Sequence, residues 1–308
     1  MLAFLKLIRI QNLLIIAFTQ YMVRWCLLHP ILQSAGLELR MSELNFFLLS
    51  LSTVMLAAAG YIINDYFDVK IDKVNKPERL VIGKGVKRRV AIGAHTVINF
   101  LAIIIGLYVS YRSGSWKLVV IHFITATGLW FYSTNFKRQF LIGNIVIAFF
   151  TAMVPLTVGI YELYGSAGTI PDVYISGAWK WILAISFFAF ITTLLREIIK
   201  DIEDHDGDKA YGCKTMPIVI GIRASKNVVI CLALATIAAL AMIQYHFYGD
   251  SPAPFVYLII PMQLSLLFLI WKINAATTKK DFRLSGNTAK AIMLMGVCYL
   301  FLLVVYIF

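Results

Sequence analysis

Nine apolar segments alternate with charged stretches along the chain, at roughly 10–32, 44–63, 90–110, 116–133, 140–161, 177–195, 216–246, 252–271 and 288–307. Each is close to the ~20 residues that a membrane-spanning helix needs. The seventh is long and is expected to begin in the headgroup region. The first follows Lys6 and Arg9 in the manner of a signal peptide, but it has the length of a full span. Arg24 interrupts it and no small-residue cleavage site follows, so it is expected to be retained. Residues 162–176, with Gly165, Gly168 and Pro171, form the longest outer loop in this reading. No low-complexity run or flexible linker divides the chain, so residues 1–308 form one integral domain.

Composition agrees with the pattern. Of the 308 residues, 60% are apolar and 14% charged, where a soluble domain has about 25% charged. The fold class is therefore all-α, a polytopic membrane protein of nine transmembrane helices around a central cavity. With the N-terminus inside, 23 of the 28 Lys and Arg residues fall in inner stretches. Only Arg24, Arg40, Arg112, Lys117 and Lys180 fall outside. That bias orients the chain N-in, C-out. It also accounts for the net charge of +12 as basic loops facing anionic lipid, not nucleic acid. Cys26, Cys213, Cys231 and Cys298 contain no Cys-x-x-Cys spacing, so neither a zinc site nor a disulfide framework is indicated.

The candidate chemistry follows segments two and six. Asp65, Asp68 and Asp72 are spaced 0, +3, +7, and so are Asp201, Asp204 and Asp208, at a constant offset of 136. At about 100° per residue these offsets fall within roughly 60° of one another on a helix. Like charges on one face repel, and a divalent cation relieves the repulsion. All-oxygen ligands suit Mg²⁺, shared between carboxylates and a substrate phosphate. A pair of solvated acidic loops is the plainer alternative, but such loops need no helical register. Both clusters fall on the cytoplasmic side. Two four-helix units, about 1–135 and 136–272, with a ninth helix added, account for the offset.

Around the first cluster stand Lys70, Lys73, Asn75, Lys76 and Arg79, and around the second Arg196, Lys200, Lys209 and Lys214. Carboxylates hold metal, metal bridges phosphate oxygens, and Lys or Arg take the remaining charge. Two facing sets would clamp one diphosphate between two Mg²⁺ ions. Lys73, Lys84, Lys87, Arg88 and Arg89 read as lipid-surface charge only. His95 and His122 read as packed side chains, and His205 lies between the aspartates of the register and is excluded as a ligand.

The run Asn64-Asp65-x-x-Asp68-x-x-x-Asp72, followed by Asn75-Lys76-Pro77-Glu78-Arg79, resembles the first signature of the UbiA-type intramembrane prenyltransferase superfamily. The run Arg196-Glu-Ile-Ile-Lys200-Asp201-Ile-Glu-Asp204-x-x-x-Asp208 resembles its second. Smaller matches are Arg9-x-x-Asn12, Tyr132-Ser133 with Lys137, and Gly143-Asn144. Leu80 and Ile10 depart from the family, which often has Pro there. The resemblance implies that Asn64, Asp65, Asp68, Asp72, Asp201, Asp204 and Asp208 bind Mg²⁺. It implies that Arg79, Arg196, Lys200, Asn12, Tyr132, Lys137 and Asn144 join Asn64 in binding substrate. The second motif looks most like the branch that transfers geranylgeranyl to geranylgeranylglyceryl phosphate in ether-lipid synthesis.

The implied reaction ionises an allylic prenyl diphosphate to a carbocation, which a lipophilic acceptor captures. Tyr66, Phe67, Phe131 and Tyr132 are candidate aromatics facing that cation. The implied setting is a prokaryotic cytoplasmic membrane with the site facing the cytoplasm. Two rivals stand beside this reading. One is an aromatic prenyltransferase of quinone biosynthesis, with hydroxybenzoate or dihydroxynaphthoate as acceptor. The other is a secondary transporter, against which stands the clustering of acids at one face and not at the midplane.

Overall fold

The structure is a computed structural model that describes residues 2–164, 172–246 and 256–306. Residues 165–171 of the expected outer loop at 162–176 and the start of the eighth apolar segment lie outside the described residues, as does the Arg79 side chain. The described residues are predominantly helical, and one isolated bridge, Ile82 to Val86, is the extended pairing found among them.

The N-terminal span is built from α1 (Leu2–Leu7), α2 (Ile10–Val23), a π-helical turn at Arg24–Leu28 and α3 (His29–Ser34). Then follow α4 (Glu43–Asn75), α5 (Arg88–Arg112), α6 (Val120–Thr134), α7 (Ile142–Leu163) and α8 (Asp172–Glu203). Two short helices, α9 (His205–Ala210) and α10 (Met216–Val219), precede α11 (Ile222–His246). A π-helical turn at Leu258–Gln263, where Pro261 withholds a backbone donor, leads into α12 (Leu264–Ala275), and α13 (Lys279–Tyr306) closes the chain.

Eight helices among the described residues are long and apolar enough to cross a membrane. The fourth predicted segment is not among them: it consists of a 3-10 turn at Trp116–Val119 and the 15 residues of α6. The helix alone rises about 22 Å, and the tighter turn adds about 8 Å, so the two together match a ~30 Å hydrocarbon core. The long seventh segment also divides. Gly221, at φ 85°, separates α10 from α11.

The polarity of the surface is that of a membrane protein. Phe100, Ile104, Phe123, Leu183, Met242 and Trp271 point outward and are exposed, a face that lipid can cover. Inside, the longest helices organise the bundle. α4 packs against α5, α6 and α2, and α8 packs against α7, α13 and α11. At 33 and 32 residues each is about 50 Å long, longer than the ~30 Å core. Their C-terminal ends meet at one end of the bundle through Asn75, which bonds Asp204 and Gly207, and the aspartates lie on or just beyond those ends.

The other end is fastened by Arg24, whose side chain is fully buried. It lies 3.1 Å from Glu162 and 3.1 Å from Glu43, donates to the Met41 carbonyl at 2.5 Å, and covers the Phe46 ring at 4.3 Å. The charge that interrupts the first apolar segment is thus compensated by a carboxylate from α7.

Candidate functional site

α4 is unbroken through Asn75, so Asp65, Asp68 and Asp72 share one helical face. Each of the first two is met by a cation from elsewhere in the chain. Arg9 reaches Asp65 at 2.7 Å and lies 4.9 Å from the Tyr61 ring. It does so from the joint between α1 and α2, in a left-handed conformation (φ 52°, ψ 55°) that costs about 1–2 kcal/mol for a residue with a Cβ. Lys137 pairs with Asp68 and lies 3.4 Å from the Asn64 side-chain oxygen.

Gly143 explains how Lys137 gets there. The 3-10 turn Phe136–Arg138 lies so close to the first turn of α7 that a Cβ at Gly143 would sit 2.7 Å from Lys137 Cα and 2.9 Å from the Phe136 carbonyl oxygen. The next residue, Asn144, donates from Nδ2 to Asp201 at 2.8 Å. One Gly-Asn pair therefore sets a partner for each aspartate cluster. Burial holds the Lys137 ammonium below the ordinary lysine range in spite of Asp68.

The second cluster does not lie on one continuous helix. α8 ends at Glu203, Asp204 departs from helical geometry (φ −93°, ψ 4°), and α9 begins at His205. Two bonds of helical spacing cross the break, Asp204 N–H to the Lys200 carbonyl at 2.9 Å and Asp208 N–H to the Asp204 carbonyl at 3.1 Å. They keep Asp201, Asp204 and Asp208 close to the expected register.

The two clusters meet. Asn75 Nδ2 donates to the Asp204 carbonyl at 3.0 Å, and the Gly207 N–H donates to Asn75 Oδ1 at 3.0 Å. Lys76 reaches the Asp204 carboxylate at 2.8 Å. Asp208, on α9, has its pKa pushed up to about 7, first by burial and then by the charges of Asp204 and Asp68. Asp68 and Asp208, from different motifs, thus sit close enough to repel.

A cavity of about 230 Å³ opens below this network. Arg9, Asn12, Tyr61, Asn64, Tyr132, Arg196, Glu197, Lys200 and Lys290 line it where the helices approach the aspartates. One to several turns further along the same helices the wall is Ile15, Ala57, Leu129, Ile147, Phe150, Ile185, Phe188 and Val297. The chamber therefore has a cationic mouth and an apolar depth.

Of the residues singled out from the sequence, Asn12, Asn64, Tyr132, Arg196 and Lys200 line the cavity. The six aspartates, Lys137 and Asn144 lie in the network at its mouth. Among the candidate aromatics Tyr132 alone is on the wall. Tyr66 lies under Arg88 at 4.6 Å, Phe67 stacks edge-on with Trp130, and Phe131 faces outward. His95 bonds the Ala59 carbonyl at 2.9 Å and His122 bonds Ser52 at 2.9 Å, so both are packed side chains.

Sequence reasoning missed Tyr61, Glu197 and Lys290. Glu197 pairs with Arg196 at 2.6 Å and Lys200 at 3.2 Å, and its place between two cations was a signal. Lys290 also had one, as a cation inside the last apolar segment.

Comparison with known proteins agrees with this geometry. The family model described as the UbiA prenyltransferase family matches residues 27–294. The digeranylgeranylglyceryl phosphate synthase of Methanothermobacter thermautotrophicus is 34% identical over 215 residues, 69% of each chain. A solved structure concerned with digeranylgeranylglyceryl phosphate synthase in membranes superposes with a TM-score of 0.63 at 21% identity, covering 97% of this chain and 98% of the other. A UbiA homologue from Archaeoglobus fulgidus, bound to GPP and Mg²⁺, gives a TM-score of 0.55 at 16% identity, over 97% and 99% of the two chains. A bundle of apolar helices, two facing aspartate motifs and a family match across most of its length place this chain in the UbiA prenyltransferase family, as an intramembrane prenyltransferase.

Proposed function

We propose that this prenyltransferase moves a geranylgeranyl group from its diphosphate to geranylgeranylglyceryl phosphate, with two Mg²⁺ ions held between the aspartate clusters. The observation that carries the reading is the junction of Asn75 with Asp204 and Gly207, which brings both clusters to the mouth of one apolar chamber. The name of the Methanothermobacter relative supports the choice of acceptor.

The donor set fits a hard cation. Among the described residues no three acidic, His or Cys side chains converge as a ready ligand group, and three of the aspartates are paired with the chain's own cations. Arg9 holds Asp65, Lys137 holds Asp68 and Lys76 holds Asp204. The ligands offered are oxygen only; burial and then the charges of Asp204 and Asp68 raise the Asp208 pKa, and a divalent ion would offset the contribution of those charges. Asp65, Asp68, Asp72, Asp201, Asp204, Asp208 and Asn64 would hold the metal. When bound, it supplies charge neutralisation on the leaving diphosphate.

The remaining work falls to the protein. Arg196, Lys200 and Lys137 take diphosphate oxygens at the mouth, with Arg79 and Asn144 as further polar contacts, and Asn12 serves the acceptor side of the site. The apolar wall receives the isoprenoid chain, each buried CH₂ contributing about 0.8 kcal/mol, and keeps water from the allylic cation. Tyr132 presents a ring face near the reacting carbon. The allylic C–O bond breaks, diphosphate leaves with the electron pair, and the acceptor hydroxyl oxygen forms the new C–O bond as it loses its proton.

In the proposed topology nine helices cross a prokaryotic cytoplasmic membrane, N-in and C-out, in two four-helix units with a ninth helix added. The site then faces the cytoplasm. The basic-residue bias and the constant aspartate offset support this arrangement.

The test is direct. Purified protein is given Mg²⁺, geranylgeranyl diphosphate and a panel of acceptors, namely geranylgeranylglyceryl phosphate, hydroxybenzoate and dihydroxynaphthoate, and products are identified by mass. Turnover confined to an aromatic acceptor would overturn the assignment.

A further inference from the structure

We propose that Lys290, held by Asn12, forms a second anion site on the cavity wall that takes the phosphate monoester of the acceptor, beside the diphosphate site at the mouth. This rests on the functional reading above.

The argument begins with pairing. Arg9 has Asp65 at 2.7 Å, Arg196 and Lys200 share Glu197 at 2.6 and 3.2 Å, and Lys137 has Asp68. Lys290 differs: among the described residues its ammonium meets no carboxylate, and it donates instead to the neutral side-chain oxygen of Asn12 at 2.6 Å. An ammonium has three donors, so two remain for a ligand. Arg9 and Arg196 are both near enough to bear on its charge. A cation inside an apolar helix, facing a cavity beside two others, is costly unless an anion joins it.

The charges also allot the cations. Asp65 offsets Arg9, and the surplus of Arg196 and Lys200 over Glu197 goes to the donor diphosphate, which among the described wall residues leaves Lys290 for a second anion. A phosphate monoester brings about −1.5 to −2 at neutral pH. The rival aromatic acceptors carry one carboxylate and so bring a single negative charge.

Asn12 is itself positioned. Its amide nitrogen donates to the Tyr61 hydroxyl at 3.3 Å, which turns the amide oxygen toward Lys290. The ordinary alternative for such a lysine is an extended stem with its ammonium in the headgroup layer. The Asn12 bond and the lining position argue for the cavity instead.

The experiment uses the full-length enzyme in lipid nanodiscs, with Lys290→Met and Lys290→Arg. For Lys290→Met the KM for geranylgeranylglyceryl phosphate should rise at least tenfold, while the KM for geranylgeranyl diphosphate stays within twofold. Lys290→Arg should recover most of the loss. With geranylgeranylglycerol, the same acceptor without phosphate, wild type and Lys290→Met should be equally slow. Equilibrium binding of the phosphorylated acceptor in chelator should weaken in parallel. Equal increases in both KM values, an increase for the donor alone, or no change would overturn the inference. A wild-type enzyme that does not use the phosphorylated acceptor would overturn the functional reading itself, and the two failures are thereby told apart.

Discussion

Asn75 and Gly207 are 132 residues apart in sequence, and the side-chain oxygen of the first accepts the backbone N–H of the second at 3.0 Å. Gly207 has to be glycine for this contact, since a Cβ there would lie 2.5 Å from the Asn75 amide. The end of the first aspartate helix is thus docked on the turn that carries the second cluster.

Gly207→Ala should therefore separate the clusters without emptying the core. We expect kcat to fall about 100-fold, equivalent to roughly 3 kcal/mol of transition-state stabilisation, with a much smaller change in thermal unfolding. Asn75→Ala should behave in the same way, because it removes both bonds at once. Steady-state kinetics alongside a melting curve checks both variants.

Metal affinity should depend on pH through Asp208. Burial, then Asp204 and Asp68, push its pKa up to about 7. Below that pH the carboxyl is protonated and cannot ligate; above it the carboxylate is available. The Mg²⁺ concentration giving half-maximal rate should fall as pH rises from about 6 to 8, by up to about tenfold per unit at the acid end for one proton displaced per ion. It should level off above 8, and EDTA should abolish turnover throughout. Asp208→Asn should flatten the dependence, and a wild-type profile that is already flat would count against the assignment.

The opposite end of the bundle gives a prediction about stability. Arg24 is fully buried and 3.1 Å from Glu162, whose second oxygen accepts the Met41 N–H at 3.0 Å. Glu162→Ala leaves the guanidinium with the exposed Glu43 and the Met41 carbonyl in place of its buried carboxylate, and breaking a buried pair from one side costs up to about 3–5 kcal/mol. Thermal unfolding in detergent should move well downward, while the folded fraction retains its KM for prenyl diphosphate.

How far the site was legible follows from the range of each interaction. Asp65, Asp68 and Asp72 could be placed on one face because the helix that holds them is local and uninterrupted. The second cluster kept its spacing, but the break at Asp204 answers to a tertiary contact, Gly207 against Asn75, which periodicity does not encode. Gly143 reads as an ordinary helix residue until the Lys137 turn is seen packed against it. Lys290 and Glu197 were visible as charges, but what makes them site residues is the cavity they face, and a cavity is a property of several helices together. Arg24 looked like an interruption of a span because its partner Glu162 lies four helices later, on α7.

The central claim is that both clusters hold one diphosphate, and a double-mutant cycle on Asp68 and Asp204 tests it most directly. Asp68→Ala and Asp204→Ala should each lower kcat/KM by several orders of magnitude, with Lys73→Ala and Lys87→Ala nearly silent as controls. The double variant should be within about tenfold of the worse single variant, as for residues that act as a unit. Two losses that multiply in full would show the clusters serving separate ligands, and the shared clamp would be wrong.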